Sequence, residues 1–457
     1  MILSVLLALV VTGLVGVLIF KKYKSQSVLF LAGFVLMAFA IIFNTGTILE
    51  PDASTGSAWM DIFEFVSVTF SSSAAKTGMI IMSVTGFAKY MDKIGASKLL
   101  VKLCIKPLRK MNAPYLTLAL CFMLGQLLRL VIPSASGLGM LLMVTIYPLL
   151  ISVGVSKLSA TAAIATTSCL DLGPASASTA VAADAVGMTA PQFFTTYQLP
   201  VAICVMFSVA ISHFFVQRWF DKRENHIAEG VNNYQMDDDS STPLIYAFLP
   251  FVPFVILMLF GFLQVGGIEV DVVPAMFFSL FIAMVAECIR TRNVKEVFKS
   301  IQVYFDGMGK QFASVITLIV AGQVFAQGLI SLGTIDYLIE AAQGASAGGM
   351  LMIIIMSLII VFCTIIMGSG TAPFFSFAAF GPQIAESLGM NAAQFVLPMQ
   401  LSSSIARPAS PITAVVVAVC GVSDVSPFDV IKRTAIPMAV AWVVMQISSF
   451  VMFQFFM

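Results

Sequence analysis

Charge is what this sequence has least of. Lys, Arg, Asp and Glu make up 10% of its 457 residues, against about 25% in ordinary soluble domains. So few charges cannot solvate the surface of a soluble single-core fold, and 59% hydrophobic residues point to many bilayer-spanning segments instead. Histidine is almost absent, with His213 and His226 alone and no H-E-x-x-H pattern, which excludes the usual catalytic metal centres. The seven cysteines form no C-x-x-C pair and read as small apolar packing groups. There is no G-x-x-x-x-G-K-[ST] loop and no segment long enough for a nucleotide domain, so nothing supports an ATP-driven pump. Neither a Ser–Lys pair nor a His–acid cluster marks an intramembrane enzyme. The net charge of +1, without a long basic run, gives no footprint for nucleic acid.

What is present is apolar length. Spans are expected near 2–20, 27–44, 62–88, 194–217, 243–264, 273–289, 302–331 and 430–456. The first is read as a retained span rather than a signal peptide, because no basic residue precedes it while Lys21, Lys22 and Lys24 follow. Four further apolar stretches, 114–156, 158–186, 348–388 and 391–423, are interrupted by Pro, Gly, Ser and Thr. One long polar linker, 221–242, divides the chain into halves 1–220 and 243–457.

The basic residues orient the spans. With the N-terminus outside, and with 114–156 and 348–388 each entering and leaving on one side, 20 of the 24 Lys and Arg fall inside and none in an outside loop. The other four, Lys76, Arg129, Lys310 and Arg407, lie within apolar stretches. Inside, 97–110 reads as an interfacial amphipathic helix, with 334–343 in the matching place outside.

The halves echo each other. P-A-S-A-S-T-A-V at 174–181 matches P-A-S-P-I-T-A-V at 408–415, an offset of 234 shared by Pro148 with Pro382, Gly187 with Gly421 and Phe194 with Phe428. Phe87-Ala88 with Gly95 matches Phe325-Ala326 with Gly333 at an offset of 238. The charge count gives the matched spans opposite directions, the mark of inverted repeats in secondary transporters. The fold expected is therefore all-α and polytopic: about ten transmembrane helices, two re-entrant hairpins, and helices broken at mid-membrane.

In such folds the interruptions point to the binding site. Hairpin tips are expected at 133–137 and 368–373, and broken helices at 166–178 and 402–411. Free N–H groups at a broken helix suit a carboxylate, and freed carbonyls suit a cation. The candidate binding residues are Ser134, Ser136, Gly137, Ser176, Ser369, Gly370, Thr371, Ser403, Arg407 and Ser410. Small residues at these spacings also serve plain helix packing. Arg407 is singled out, because an Arg at mid-membrane costs at least about 2.5–3.5 kcal/mol. It either receives a substrate carboxylate or pairs with Asp171, which lies in the equivalent break; exchange with Asp171 holding Arg407 in the empty carrier uses both roles. Arg129, four residues before the first tip, either adds positive potential or pairs with Asp171. Asp184 and Asp306 are weaker candidates for handling protons. No cofactor or metal is expected, and coupling to H+ or to Na+ stays open.

The run from Tyr90 to Tyr115, SASGLG at 134–139, GSGTAPFFSF at 368–377, ARPASP and VVVAV within 406–419, and VSPFDVIKRT at 425–434 carry a family likeness. Through them nearly the whole chain resembles the DcuC family of anaerobic four-carbon-dicarboxylate carriers, within the wider ion-transporter superfamily. The resemblance implies a bacterial inner-membrane carrier of fumarate, succinate, malate or aspartate, working by exchange or with protons, and Arg407 matches an Arg of the family pattern. It also implies a homodimer with a fixed scaffold and a sliding transport domain. The pattern has an acidic residue where Ser178 stands, Asn where Thr371 stands, and no charge at Arg129 or Asp171. These differences keep a carrier of the same fold for an amino acid or another organic anion as the alternative.

Overall fold

The computed structural model describes residues 2–21, 23–108, 111, 113–224, 242–263, 265–334 and 348–455, and every regular element among them is helical. Lipid offers the backbone no hydrogen-bond partner, so long apolar runs close their bonds within the helix. Nine helical segments among the described residues are long and apolar enough to cross a membrane. Most of the linker, 225–241, and all but Thr334 of the 334–343 stretch lie outside the described residues.

The first half opens with α1 (Ile2–Phe20) and α2 (Ser25–Phe43). α3 (Ala58–Ser73) runs through a π-helical turn, Ala74–Gly78, into α4 (Met79–Lys93), and α5 (Ala96–Ile105) follows. The stretch 114–156 divides into α6 (Pro114–Arg129) and α7 (Ala135–Ser152). α8 (Lys157–Thr166), α9 (Ala177–Ala185), the short α10 (Ala190–Phe193) and α11 (Leu199–Arg223) complete it. The second half holds α12 (Val252–Ile256), α13 (Val272–Thr291), α14 (Val294–Ser300), α15 (Gln302–Gln311) and α16 (Thr317–Ser331). After them come α17 (Gly348–Met367), α18 (Thr371–Phe377), α19 (Gly381–Ser387), α20 (Ala392–Ile405), α21 (Ala414–Ser423) and α22 (Pro427–Phe455).

Several backbone features recur in both halves. Another π-helical turn, Phe312–Ile316, joins α15 to α16, 238 residues after Ala74–Gly78. Gly95 and Gly333 both take positive φ, 81° and 71°, just beyond these rods. α7 and α19 close on Gly154 and Gly389, also at positive φ, with matching bonds from Val155 N to Leu150 O (3.0 Å) and Met390 N to Ala385 O (2.8 Å). This is the left-handed helix stop that glycine favours. The equivalent stop after α9 is Gly187, and after α21 it is Asp424, φ 53°. The structural counterpart of Gly187 is therefore Asp424, not Gly421, which lies inside α21.

The structure revises several sequence boundaries. The first tip is the turn 130–134, so Ser136 and Gly137 belong to the first turn of α7. The second is 368–370, and Thr371 already starts α18. Ser403 lies within α20, which runs on to Ile405. The span at 243–264 is mostly 3-10 and π-helical around α12, because Pro250 and Pro253 remove donors from the α ladder. α11 continues through Asp221 to Arg223, so the polar linker starts within a helix. Arg433, counted above among the inside loop charges, is 1% exposed: it pairs with Asp221 at 2.5 Å and with Glu224 at 2.5 Å, and donates to Ser159 Oγ at 2.6 Å.

The halves interlock through close backbone contacts. A Cβ on Gly33 of α2 would sit 2.6 Å from the Val324 carbonyl of α16, and one on Gly86 of α4 would sit 2.8 Å from the Tyr304 carbonyl of α15. Backbones that close leave no room for a methyl group. Gly33→Ala should therefore lower the thermal unfolding midpoint of the detergent-purified protein, by about 1–3 kcal/mol in stability. Gly421→Ala, where a Cβ meets nothing within 4 Å, should leave it unchanged or raise it. Equal effects would show that the α2–α16 contact tolerates a side chain.

Candidate functional site

Two unwound segments meet in the interior. The first, 167–176, separates α8 from α9. Gly173 takes φ 99°, in the region that L side chains rarely adopt, and Pro174 cannot donate to a helix. The second follows α20 as a 3-10 turn, Arg407–Ala409, and runs without regular structure to Thr413, with Pro408 and Pro411 stopping the α ladder. Asp171 stands in the first segment and Arg407 in the second.

Asp171 is the hub. Its Oδ1 lies 2.6 Å from Arg129 Nη2 and its Oδ2 lies 2.9 Å from Arg407 Nη2. Ser178 Oγ, in the first turn of α9, donates to Oδ2 at 2.8 Å. Arg129, at the C-terminal end of α6, also donates through Nη1 to the Pro133 carbonyl of the first tip. The three charged side chains are 3%, 8% and 10% exposed for Arg129, Asp171 and Arg407. Two guanidinium groups and one carboxylate leave this buried cluster at +1. Among the described residues each guanidinium keeps one buried donor without a partner, Arg129 Nε and Arg407 Nε.

Glutamines hold the unwound backbone. Gln198, in the π-helical turn Phe194–Gln198, donates to Asp171 O at 3.1 Å and accepts from Gly173 N at 3.1 Å. Gln400 of α20 donates to the same Asp171 carbonyl at 3.3 Å and accepts from Gln198 at 3.1 Å. Gln126 of α6 donates to Thr166 O at 3.2 Å. An unwound strand of backbone inside a membrane protein needs such partners. Neither these glutamines nor Ser178 is among the binding residues expected from the sequence. The available signal is uncharged amides inside apolar helices, which carry no charge to draw attention.

The other candidates fall into two groups. Gly370, at the second tip, packs against the Ser403 carbonyl, and a Cβ there would also lie 3.2 Å from Arg407 Nε. Ser369 Oγ and Thr371 Oγ1 are 3.1 Å apart on the same tip. Ser403 Oγ turns back to Gln400 O at 2.7 Å, and Ser410 Oγ reaches Ile365 O of α17 at 2.7 Å. Ser176 is buried beside the first break with its hydroxyl unpartnered. Thus Arg129, Asp171, Arg407, Gly370 and Ser403 are drawn together. Ser134 instead caps α7 through Gly137 N at 3.1 Å, and Ser136 and Gly137 face outward as exposed residues. Asp184 accepts from Thr77 at 3.0 Å and Asp306 from Gln302 at 3.0 Å, outside the hub's bonding network. Among the described residues no group of His, Cys, Asp and Glu is arranged to hold a metal ion.

The arrangement suits an organic anion. A carboxylate is already clamped by two guanidinium groups, the strongest pairing available to one. Comparison with known proteins bears on the chain as a whole. The family profile described as the C4-dicarboxylate anaerobic carrier, DcuC, matches residues 3–454. The anaerobic C4-dicarboxylate transporter DcuC of Escherichia coli strain K12 is 35% identical over 446 residues, 98% of this chain and 96% of that protein. A probable transporter of the same name from Vibrio cholerae is 35% identical over 451 residues, 98% of each. Two solved structures share the fold at 13% identity. The Alcanivorax borkumensis YdaH transporter has a TM-score of 0.63 over 93% of this chain and 98% of its own. Neisseria gonorrhoeae MtrF, described with a class of antimetabolite efflux pumps, has a TM-score of 0.60 over 94% and 95%. The nine apolar spans among the described residues and these relatives lead to one conclusion: this multi-pass protein of the bacterial inner membrane belongs to the DcuC family of C4-dicarboxylate anaerobic carriers.

Proposed function

We propose that the chain carries four-carbon dicarboxylates such as fumarate, succinate, malate or aspartate across the inner membrane, and that Asp171 occupies the substrate's place on Arg129 and Arg407 when the carrier is empty. The supporting observation is the Asp171 carboxylate itself, held at 2.6 and 2.9 Å by guanidinium groups from both halves. The names borne by the relatives supply the substrate class.

Charge decides what accompanies the substrate. A dianion added to the +1 hub would leave a buried excess of −1, which is expensive in a low-dielectric interior. Protonating Asp171 as the dianion binds makes the sum zero and frees both arginines. Proton coupling through Asp171 is therefore the reading preferred over sodium. A second substrate leaving the far side returns the proton and restores the internal pair, which is exchange.

The architecture supports an elevator movement. The recurrent π-helical turns, glycine stops and breaks support two inverted repeats, with α6–α7 and α17–α19 as re-entrant hairpins whose tips close on the hub. The contacts at Gly33 and Gly86 bind α2, α4, α15 and α16 into a scaffold, against which the hub-bearing helices slide in an elevator motion. A homodimer built on that scaffold completes the proposal.

Two tests follow. In proteoliposomes loaded with unlabelled succinate, labelled fumarate, malate and aspartate should enter by counterflow, whereas a neutral amino acid should not. Omitting sodium should make no difference, and Arg407→Ala should cut the rate by more than about tenfold, given the strength of a charge-assisted pair. Counterflow of the neutral amino acid alone would replace the dicarboxylate reading with the amino-acid one. Second, Asp171→Ala strands two buried arginines and should cost about 3–5 kcal/mol. Adding Arg129→Ala to it should cost less than the sum of the two single changes; additive losses would argue against the pairing.

A further inference from the structure

A charged cavity lies away from the hub, at the C-terminal end of α13. It encloses about 790 Å3 between the end of α4 and the corner formed by α13 and α14, and its lining includes Lys93, Glu287, Arg290, Lys295, Glu296 and Lys299. Two of these are accounted for locally. Arg290 is taken by Glu287, at 2.5 Å from Nη2 and 3.0 Å from Nε, and lies over the Tyr246 ring at 5.1 Å. Lys93, Lys295 and Lys299 are exposed and make no salt bridge among the described residues. The single remaining acid of the lining is Glu296, against three lysines.

The surroundings are apolar where a soluble surface would be polar. Ile289 is 73% exposed, Val294 56%, Phe298 64% and Phe305 50%. On α14, Val294 and Phe298 are four residues apart and share a face; Lys295 and Lys299 form the stripe beside it. A basic stripe next to an exposed apolar one is the pattern of a helix lying at the headgroup level of a bilayer. Placed where the apolar helix α13 ends, on the side that holds the basic residues, the cavity sits at the inner membrane–water boundary.

We propose that this corner binds the phosphate headgroup of an anionic phospholipid. Lys93, Lys295 and Lys299 take the phosphate, and Val294 and Phe298 lie along the acyl chains. A free phosphate would use the lysines equally well but would leave the apolar stripe without a partner, which is why the lipid is favoured. The bound lipid would brace the end of α4 against the α13–α14 corner. The inference is independent of the cargo, so its failure would leave the dicarboxylate reading untouched.

The experiment is native mass spectrometry of the full-length, delipidated protein, offered dioleoylphosphatidylglycerol and dioleoylphosphatidylcholine in equal amounts. Each lysine near an anionic headgroup contributes on the order of fivefold in affinity. The natural protein should retain phosphatidylglycerol in preference by at least about tenfold. The triple variant Lys93→Gln, Lys295→Gln, Lys299→Gln should bind the two lipids nearly equally, and the corresponding triple Lys→Arg variant should keep the preference. Gel filtration checks that the Gln variant is folded; if it is not, the single changes Lys295→Gln and Lys299→Gln, at exposed positions, replace it. An undiminished preference in the Gln variants overturns the proposal. So does displacement of the lipid by millimolar glycerol 3-phosphate together with full retention of the preference in Val294→Ser, Phe298→Ser, since that would mark a site for soluble anions.

Discussion

A carboxylate shared between two guanidinium groups in a buried protein interior constrains everything around it. None of Arg129, Asp171 and Arg407 can be buried alone without a cost of several kcal/mol. Together they lower that cost, and in doing so they tie α6, the first broken helix and the second broken helix into one cluster. The pairing across the halves, Asp171 to Arg407 at 2.9 Å, makes the hub a junction between the two parts of the chain.

The charges require open backbone, and open backbone requires support. Gly173 and Pro174 unwind the first segment, and Pro408 and Pro411 the second. Gln198 and Gln400 then satisfy the Asp171 carbonyl and bond to each other across the halves. At the second tip the absence of a side chain at Gly370 lets the turn close on the Ser403 carbonyl next to Arg407. A bulkier residue there would hold the tip away from the guanidinium group. The candidate site is thus set by three kinds of residue acting together: charged groups, amides that hold backbone, and a glycine that permits contact.

Much of this is legible in the amino-acid sequence. Breaks in apolar stretches stand out as Pro, Gly and Ser clusters, because such residues do not continue a lipid-facing helix. Arg407, Asp171 and Arg129 stand out because charge in those stretches is costly. The recurrence at offsets of 234 and 238 is also readable, and the π-helical turns Ala74–Gly78 and Phe312–Ile316 fall at the second of these. The π turns themselves are not readable, since Ala74–Gly78 and Phe312–Ile316 share little sequence. Nor are the glutamines, whose role depends on which backbone carbonyl they face. Arg433 passes for a loop charge for a related reason: its partners Asp221 and Glu224 lie more than two hundred residues earlier, in a stretch that composition alone assigns to the linker.

In the proposed transport cycle Asp171 gives up its arginines and takes a proton when substrate arrives. Infrared difference spectroscopy of the purified carrier, with aspartate carboxyls labelled by carbon-13, reads that event directly. Adding succinate should remove an ionised aspartate band and produce a protonated carboxyl band, and neither change should occur in Asp171→Asn. Succinate binding that leaves the aspartate bands of the natural protein unchanged would contradict the account.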